Sequence, residues 1–503
     1  MLSSTSTHGL YLQYKEQLQK IADVKYSLAV LQWDQETYMP VKGAERRARQ
    51  MATLSGIAHE LFTAPAFKGL LQELSNRDDM EADWKKNVEL SWYDFTQQDK
   101  LPGEFVRMLS EAVSKSFQSW IQARKENSFA IFERDLSILL KLKKQEAEYL
   151  GYENHPYNAM LNQYERGCTV AFLDSVFASL QEPLKDILQK ITSRPQVKDD
   201  FLCQQFPKQQ QWDFGKQVLQ QMGFDFEAGR QDISEHPFTT NFSSRDVRLT
   251  TRIDENDFQN MTWSCIHEGG HGLYEQGLPD SEYGLPLGEY VSLSIHESQS
   301  RLWENNVGRS TNAWAYFFPV IKEKFPAQFA NTSLTDFYKG INKVQPSLIR
   351  TEADELTYHF HIMIRYELEK KLMDGTIAVK DIPSWWNERY KNLLGLDVPD
   401  DKYGCLQDVH WSHGSFGYFP TYSLGSFYAV QFFTTAQNKL PSLDTEIRKG
   451  NYKPLLDWLR TYIHAHGRRY LSEELCRQIT GESLNIQHFI KYAIEKYRLI
   501  YEF

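Results

Sequence analysis

The sequence predicts a mainly α protein built as one large helical body, and three observations predict it. Apolar residues recur at helical spacing over six long stretches, Leu10 to Leu31, Phe105 to Arg124, Phe129 to Leu150, Val170 to Ile191, Ile349 to Lys371 and Ile486 to Tyr501. No Pro/Gly/Ser-rich linker, low-complexity tract or fixed-period repeat divides the 503 residues, although such a length has room for two or three domains. Only Val247 to Ile253 reads clearly as a strand, with Val247, Leu249, Thr251 and Ile253 alternating along it. A short sheet there could offer an edge to an extended peptide. The expected layout is a single domain over 1–503, with N-terminal helices to about residue 230, a site-bearing part over about 231–425 and C-terminal helices over about 426–503.

Composition narrows the function. A formal net charge of −10 lacks the basic footprint that phosphate recognition needs, so nucleic acid is excluded as a partner. Leu424 to Phe433, the most apolar stretch near the C-terminus, is too short to span a bilayer and is interrupted by Ser426 and Gln431, so no membrane association is expected. Met1 to His8 is Ser/Thr-rich and leads into an amphipathic helix without the basic and apolar regions of a signal peptide. Cys168, Cys203, Cys265, Cys405 and Cys476 are widely spaced, odd in number and form no C-x-x-C pair, which suits a reducing cytoplasm.

The chemistry concentrates just after the strand. In His267-Glu268-Gly269-Gly270-His271, two histidines four apart share one helix face, so both imidazoles can reach a single ion, with zinc the first choice. Glu268 lies about 100° around the helix from His267, where it can take a proton from an activated water without being a ligand. Such a string also arises by chance, so its surroundings decide. Phe258, Met261, Trp263, Cys265, Ile266, Leu273 and Tyr274 make this a mostly buried helix, ended by Gly277 and Pro279. Burying two histidines and a glutamate there is costly unless a metal and its water satisfy them; otherwise they would be core residues bonded to neighbours. Gly269 and Gly270 would together weaken a solvated helix, so something approaches this backbone closely.

A catalytic zinc takes three protein ligands and leaves one position open. Glu275 is two turns from His267, roughly 12 Å along the axis, and is too far. Tyr274 and Gly277 occupy the places where an extended three-histidine motif needs glycine and histidine. The best remaining source is Ser294-Ile295-His296-Glu297-Ser298-Gln299-Ser300-Arg301, also helical in pattern. Only one of His296 and Glu297 can face the ion. A carboxylate is the commoner third ligand, which favours Glu297 and leaves His296 for substrate or for orienting a ligand.

Two later segments carry further candidates. Along Ile349 to Glu369, Arg350, Asp354, Tyr358, His361 and Arg365 mark a polar side opposite an apolar stripe. An ordinary solvated face with an Arg350–Asp354 pair would explain it. So would a guanidinium that reads a carboxylate through a bidentate fork, with Arg248 and Arg252 as alternatives. Gln407 to Tyr422 is crowded with glycine, histidine and aromatics and does not read as a regular helix. Most of it suits an aromatic loop on the core, but His410 with a tyrosine hydroxyl could donate to a developing oxyanion.

Taken in order, His236-Pro237-Phe238, Asp246-Val247-Arg248-Leu249-Thr250, the metal helix, His296-Glu297-Ser298-Gln299, Ile349-Arg350-Thr351-Glu352-Ala353-Asp354 and Gly404 to Trp411 closely resemble the signatures of the carboxypeptidase Taq family of metal-dependent carboxypeptidases. The resemblance implies a helical, saddle-shaped homodimer with a deep groove, akin to angiotensin-converting enzyme and the oligopeptidases. It implies removal of single residues from peptide C-termini with broad specificity, using one zinc, or cobalt, per chain. It places Arg350 on the substrate's terminal carboxylate and has His236, Phe238, Asp246 and Arg248 shape the groove wall. By analogy with zinc oligopeptidases, a tyrosine about a dozen residues after His410 assists it, which selects Tyr422 and keeps Tyr418 in reserve. Gly269 departs from the family pattern, where a larger or thiol side chain is commoner. An oligoendopeptidase with the same metal chemistry is the alternative.

Overall fold

A computed structural model describes residues 6–503, and Met1 to Thr5 of the Ser/Thr-rich start lie outside it. Among the described residues there are twenty α-helices, several 3-10 turns and three short strands. Five of the six periodic stretches form helices close to their expected limits: Thr7–Thr37, Gly103–Glu126, Ala130–Leu150, Val170–Thr192 and Gln487–Tyr501. Local chemistry sets their ends. The Ser6 hydroxyl accepts from the Gly9 N–H and the Thr169 hydroxyl from the Phe172 N–H, each satisfying a first-turn donor. Asn127, at φ 53°, closes Gly103–Glu126 in the left-handed region that asparagine tolerates.

The sixth stretch differs. Its helix runs over Tyr358–Asp374, starting nine residues later than expected, and Arg350–Glu352 is a separate 3-10 turn. Asp354 is the reason: its Oδ1 accepts from the N–H groups of Leu356 and Thr357 at 2.9 Å, and its Oδ2 from the Thr357 hydroxyl at 2.6 Å. These bonds hold the chain in a capping turn, so the Arg350–Asp354 pair does not form. The polar side of this helix is not solvated either, since Tyr358, His361 and Arg365 are buried.

The strands are β1 (Gly229–Ile233), β2 (Thr239–Ser243) and β3 (Asp246–Thr251), in the order β1-β3-β2. β3 is the strand seen in the sequence. It pairs parallel to β1 and antiparallel to β2, so it lies in the centre, and any edge offered to a peptide belongs to β1 or β2. Val247 and Leu249 point into the core, beside the metal helix Phe258–Glu275.

One apolar cluster runs from Ala123 to Tyr501 and fills the main body. A second, smaller cluster joins the first helices through Leu10, Tyr14, Phe62, Leu71 and Phe95. A cleft of about 1190 Å³ lies beside both, walled by Leu18 and Tyr26 of the first helix, Asp94, Tyr164, Asn241 and Glu275. The buried Glu369 helps to fix the body's inner wall: it accepts from the Tyr157 hydroxyl (2.5 Å), the Trp411 indole (2.8 Å) and the Gly417 N–H (2.8 Å). Glu369→Gln would turn an amide N–H₂ towards these donors. It is expected to cost about 2–4 kcal/mol in urea unfolding, and a loss below about 1 kcal/mol would show that the donors find other partners.

Candidate active site

The metal helix presents His267 and His271 on successive turns, and a second helix, Leu293–Arg301, brings Glu297 against them. One ligand atom from each lies within 4.8 Å of the other two. Glu297 Oε2 is 3.6 Å from His267 Nε2 and 3.5 Å from His271 Nε2. Ligands placed about 2.0–2.1 Å from a tetrahedral zinc are about 3.4 Å apart, so Glu297 stands close to the right distance from each histidine for all three to share one ion. Glycine makes the approach possible. A Cβ on Gly270 would stand 2.7 Å from Gln299 O and Ser300 Cα, and one on Gly425 would stand 2.6 Å from Glu297 Cβ. Gly269 faces Leu219 on the opposite side, away from the ligands.

The other atoms of the ligands are taken up. His267 Nδ1 is 2.9 Å from Glu304 Oε2, and His271 Nδ1 is 2.6 Å from His296 Nδ1. His296 Nε2 in turn lies 2.7 Å from Glu275 Oε1, whose other oxygen accepts from Asn241 Nδ2 at 2.6 Å. With Nδ1 engaged on both histidines, Nε2 is the atom left to face an ion. Glu297 accepts from Arg301 Nε at 2.7 Å and from the Ser300 hydroxyl at 2.9 Å. Burial opposes its charge, but Arg301 and the two histidines outweigh burial and hold its pKa well below the usual range. Glu304 sits in a π-helical turn, Leu302–Gly308, directly after the Glu297 helix. Glu297→Gln is expected to weaken zinc binding by 100-fold or more in a chelator competition titration, and His296→Gln by only about 10-fold, through loss of ligand orientation. The reverse ranking would make His296 the ligand.

Glu268 is 7 % exposed and its Oε2 accepts from the Thr239 hydroxyl of β2 at 2.5 Å. Burial raises its pKa, while His267 and Thr239 pull the other way. Arg350 is equally buried, and its partner is Asp408, reached from Nε at 3.0 Å and Nη2 at 2.8 Å, with Nη1 donating to the Tyr358 hydroxyl at 3.1 Å. Arg365 takes the other oxygen of Asp408 at 2.6 Å. Two guanidinium groups thus share one carboxylate, leaving a positive excess in the wall. His410 Nε2 is 3.4 Å from the Tyr422 hydroxyl, and the Tyr418 ring stands 5.2 Å from His410 and 5.3 Å from Tyr422. Burial lowers the His410 pKa to about 4 against the pull of Asp408, and burial raises that of Tyr422, so both are neutral near pH 7.

The remaining candidates stand apart from this cluster of contacts. Arg248 is held in a fork by Asp246 at 3.0 Å and lies between the rings of Trp33 and Phe242 at 4.3 and 4.7 Å. His236 is exposed on the β1–β2 connection, where its carbonyl accepts from the Ser234 hydroxyl. Arg252 is exposed beyond β3. Several participants carried no signal in the sequence: Glu304 reaches His267 only through the π turn, and Thr239 reaches Glu268 only because β2 runs beside the metal helix. Arg301 stood in the expected helix, where its spacing of four from Glu297 was the available clue.

Known proteins carry the same frame. Residues 13–497 match the model of the carboxypeptidase Taq (M32) metallopeptidases. Carboxypeptidase 1 of Bacillus subtilis is 38% identical over 98% of this chain and 99% of its own. Thermostable carboxypeptidase 1 of Thermus thermophilus is 40% identical over 94% and 95%. The crystal structure of an M32 carboxypeptidase from Deinococcus radiodurans superposes with a TM-score of 0.97 at 38% identity, covering 98% of this chain and 100% of that one. Matched end to end in sequence and in fold, the chain belongs to the carboxypeptidase Taq family of metallopeptidases.

Proposed function

We propose that this chain removes single residues from the C-termini of peptides with one zinc ion, or cobalt where available, held by His267, His271 and Glu297. The convergence of those three ligand atoms beside a buried, hydroxyl-bonded Glu268 is the observation that carries the reading. When bound, the metal supplies Lewis acidity that polarises the scissile carbonyl and makes water a stronger acid. Glu268 accepts the water's proton on its carboxylate and returns it to the leaving amine, a role suited to a carboxyl whose pKa burial has raised. The Tyr422 hydroxyl and the neutral His410 imidazole donate to the carbonyl oxygen as it takes up charge, with Tyr418 packed against both. Arg350 receives the terminal carboxylate with the N–H groups that Asp408 and Tyr358 leave free, which sets the register so that the last peptide bond is the one attacked. Arg248 and His236 belong to the outer wall.

The whole chain acts as one domain in this reading, with the N-terminal helices walling the cleft. Homodimer formation follows from the family resemblance. Cytoplasmic residence is supported by five free cysteines. No helix among the described residues is long and apolar enough to cross a membrane. The deciding experiment gives the zinc-loaded protein a peptide and its C-terminally amidated form and reads products by mass. Stepwise loss of C-terminal residues from the free acid is expected. Internal fragments, or a preference for the amide, would replace this reading with an oligoendopeptidase.

A further inference from the structure

Arg166 lines the large cleft two residues beyond Tyr164, the last residue of the short helix Tyr157–Tyr164. Its guanidinium lies over the face of Tyr93 at 5.3 Å, and Tyr93 is itself fixed by a bond from Asn162 Nδ2 to its hydroxyl at 2.6 Å. Among the described residues no carboxylate lies within ion-pair distance of Arg166. The nearby acids are already engaged: Asp94 forks onto Arg468 at 2.6 and 2.7 Å, Glu289 bonds the same arginine at 3.1 Å, and Glu474 accepts from the Leu471 N–H at 2.9 Å. Burial, and then Arg468, lower the pKa of Arg166 against the weaker pull of Asp94 and Glu474, in keeping with a half-buried cation that has no direct ion pair.

A line of rings joins this position to the proposed carboxylate anchor. Arg350 lies 5.0 Å from the Tyr422 ring, Tyr422 lies 5.3 Å from Tyr418, and Tyr418 lies 5.2 Å from Tyr164. These steps carry the line at most about 16 Å, to Tyr164, with Arg166 two residues further along the chain, and an extended peptide advances about 3.3–3.6 Å per residue. We propose that Arg166 is a specificity-determining residue that binds an acidic side chain, Asp or Glu, four to six residues from the C-terminus of the substrate. This rests on the carboxypeptidase reading, which places the C-terminus at Arg350 and sends the rest of the peptide along the cleft. The guanidinium lies over Tyr93 without an ion-pair partner among the described residues, and it offers a carboxylate a planar fork.

The test uses the full zinc-loaded protein and a set of octapeptides, each with one Glu, or Gln in its place, at the third to the seventh position from the C-terminus. kcat/KM for release of the last residue is measured for each pair. At one position in the four-to-six window Glu is expected to exceed Gln by 5-fold or more, mostly through KM, with the advantage shrinking as salt is added. Arg166→Gln should bring that ratio close to one, and Arg166→Lys should restore part of it. Ratios near one throughout, with turnover intact, overturn the proposal and leave the carboxypeptidase reading standing. So does an advantage that survives in Arg166→Gln. If no C-terminal residue is released from any peptide, the carboxypeptidase reading fails and this one falls with it.

Discussion

Glu268→Gln is expected to keep the fold and the bound zinc while lowering kcat by at least about 10²-fold, the scale of a lost general base. The substitution is nearly isosteric, and the environment tolerates it. The Thr239 hydroxyl that donates to Glu268 Oε2 at 2.5 Å can rotate and accept from the new amide, so no buried partner is stranded. Glu268 also takes no part in the ligand triangle, whose corners are His267, His271 and Glu297. Zinc content by mass spectrometry should therefore equal that of the parent, and KM should change far less than kcat, because the interaction removed is made in the transition state. A variant that retains more than about a tenth of the parent kcat at full zinc occupancy would remove Glu268 from the proton path. Loss of zinc alongside loss of activity would instead mean that the metal helix had been disturbed.

What the sequence could and could not show follows from how each contact is made. The long helices were legible because amphipathic periodicity acts within a few residues, while the caps that end them, Ser6, Thr169 and Asn127, emerge only in the structure. The ligand pair on one helix was legible for the same reason, and Glu297 came from the coordination chemistry of zinc. The failures are local rules overridden by particular side chains. Asp354 spends its carboxylate on capping, which delays the helix expected from Ile349 and removes the partner that local spacing offered Arg350. β3 reads as an alternating strand, yet alternation says nothing of its place in a sheet, and two neighbours enclose it. The bonds that orient the ligands join residues 21 to 37 apart in sequence, Glu275 to His296, His271 to His296 and His267 to Glu304, and no pattern records them.

Arg350→Ala is expected to lower kcat/KM on a free-acid peptide by roughly 2–5 kcal/mol, and to cost the C-terminally amidated peptide much less. The structure shows why the comparison is needed. Arg350 is not a free guanidinium waiting for substrate: it bonds Asp408 and Tyr358, and it packs against the rings of Tyr422 and Phe419 at 5.0 and 5.6 Å. Its removal would disturb the wall that carries His410 and Tyr422, and that damage would fall on acid and amide alike. Asp408 would keep its bonds to Arg365 at 2.6 and 2.7 Å, so the carboxylate would not be stranded and the loop should hold. The charge balance would change: two guanidinium groups around one carboxylate leave a buried positive excess that suits an anionic ligand, and the alanine variant cancels it. The difference between the two losses isolates the pairing with the substrate's carboxylate, in the manner of a double-mutant cycle. Lysine should recover only part of that difference, since a point charge cannot bond Asp408 and a second carboxylate in one plane. Equal losses for acid and amide would confine Arg350 to holding Asp408 and Tyr358 in place. The anchor would then be sought at Arg248, whose fork with Asp246 lies only half-buried between Trp33 and Phe242, in preference to the exposed Arg252.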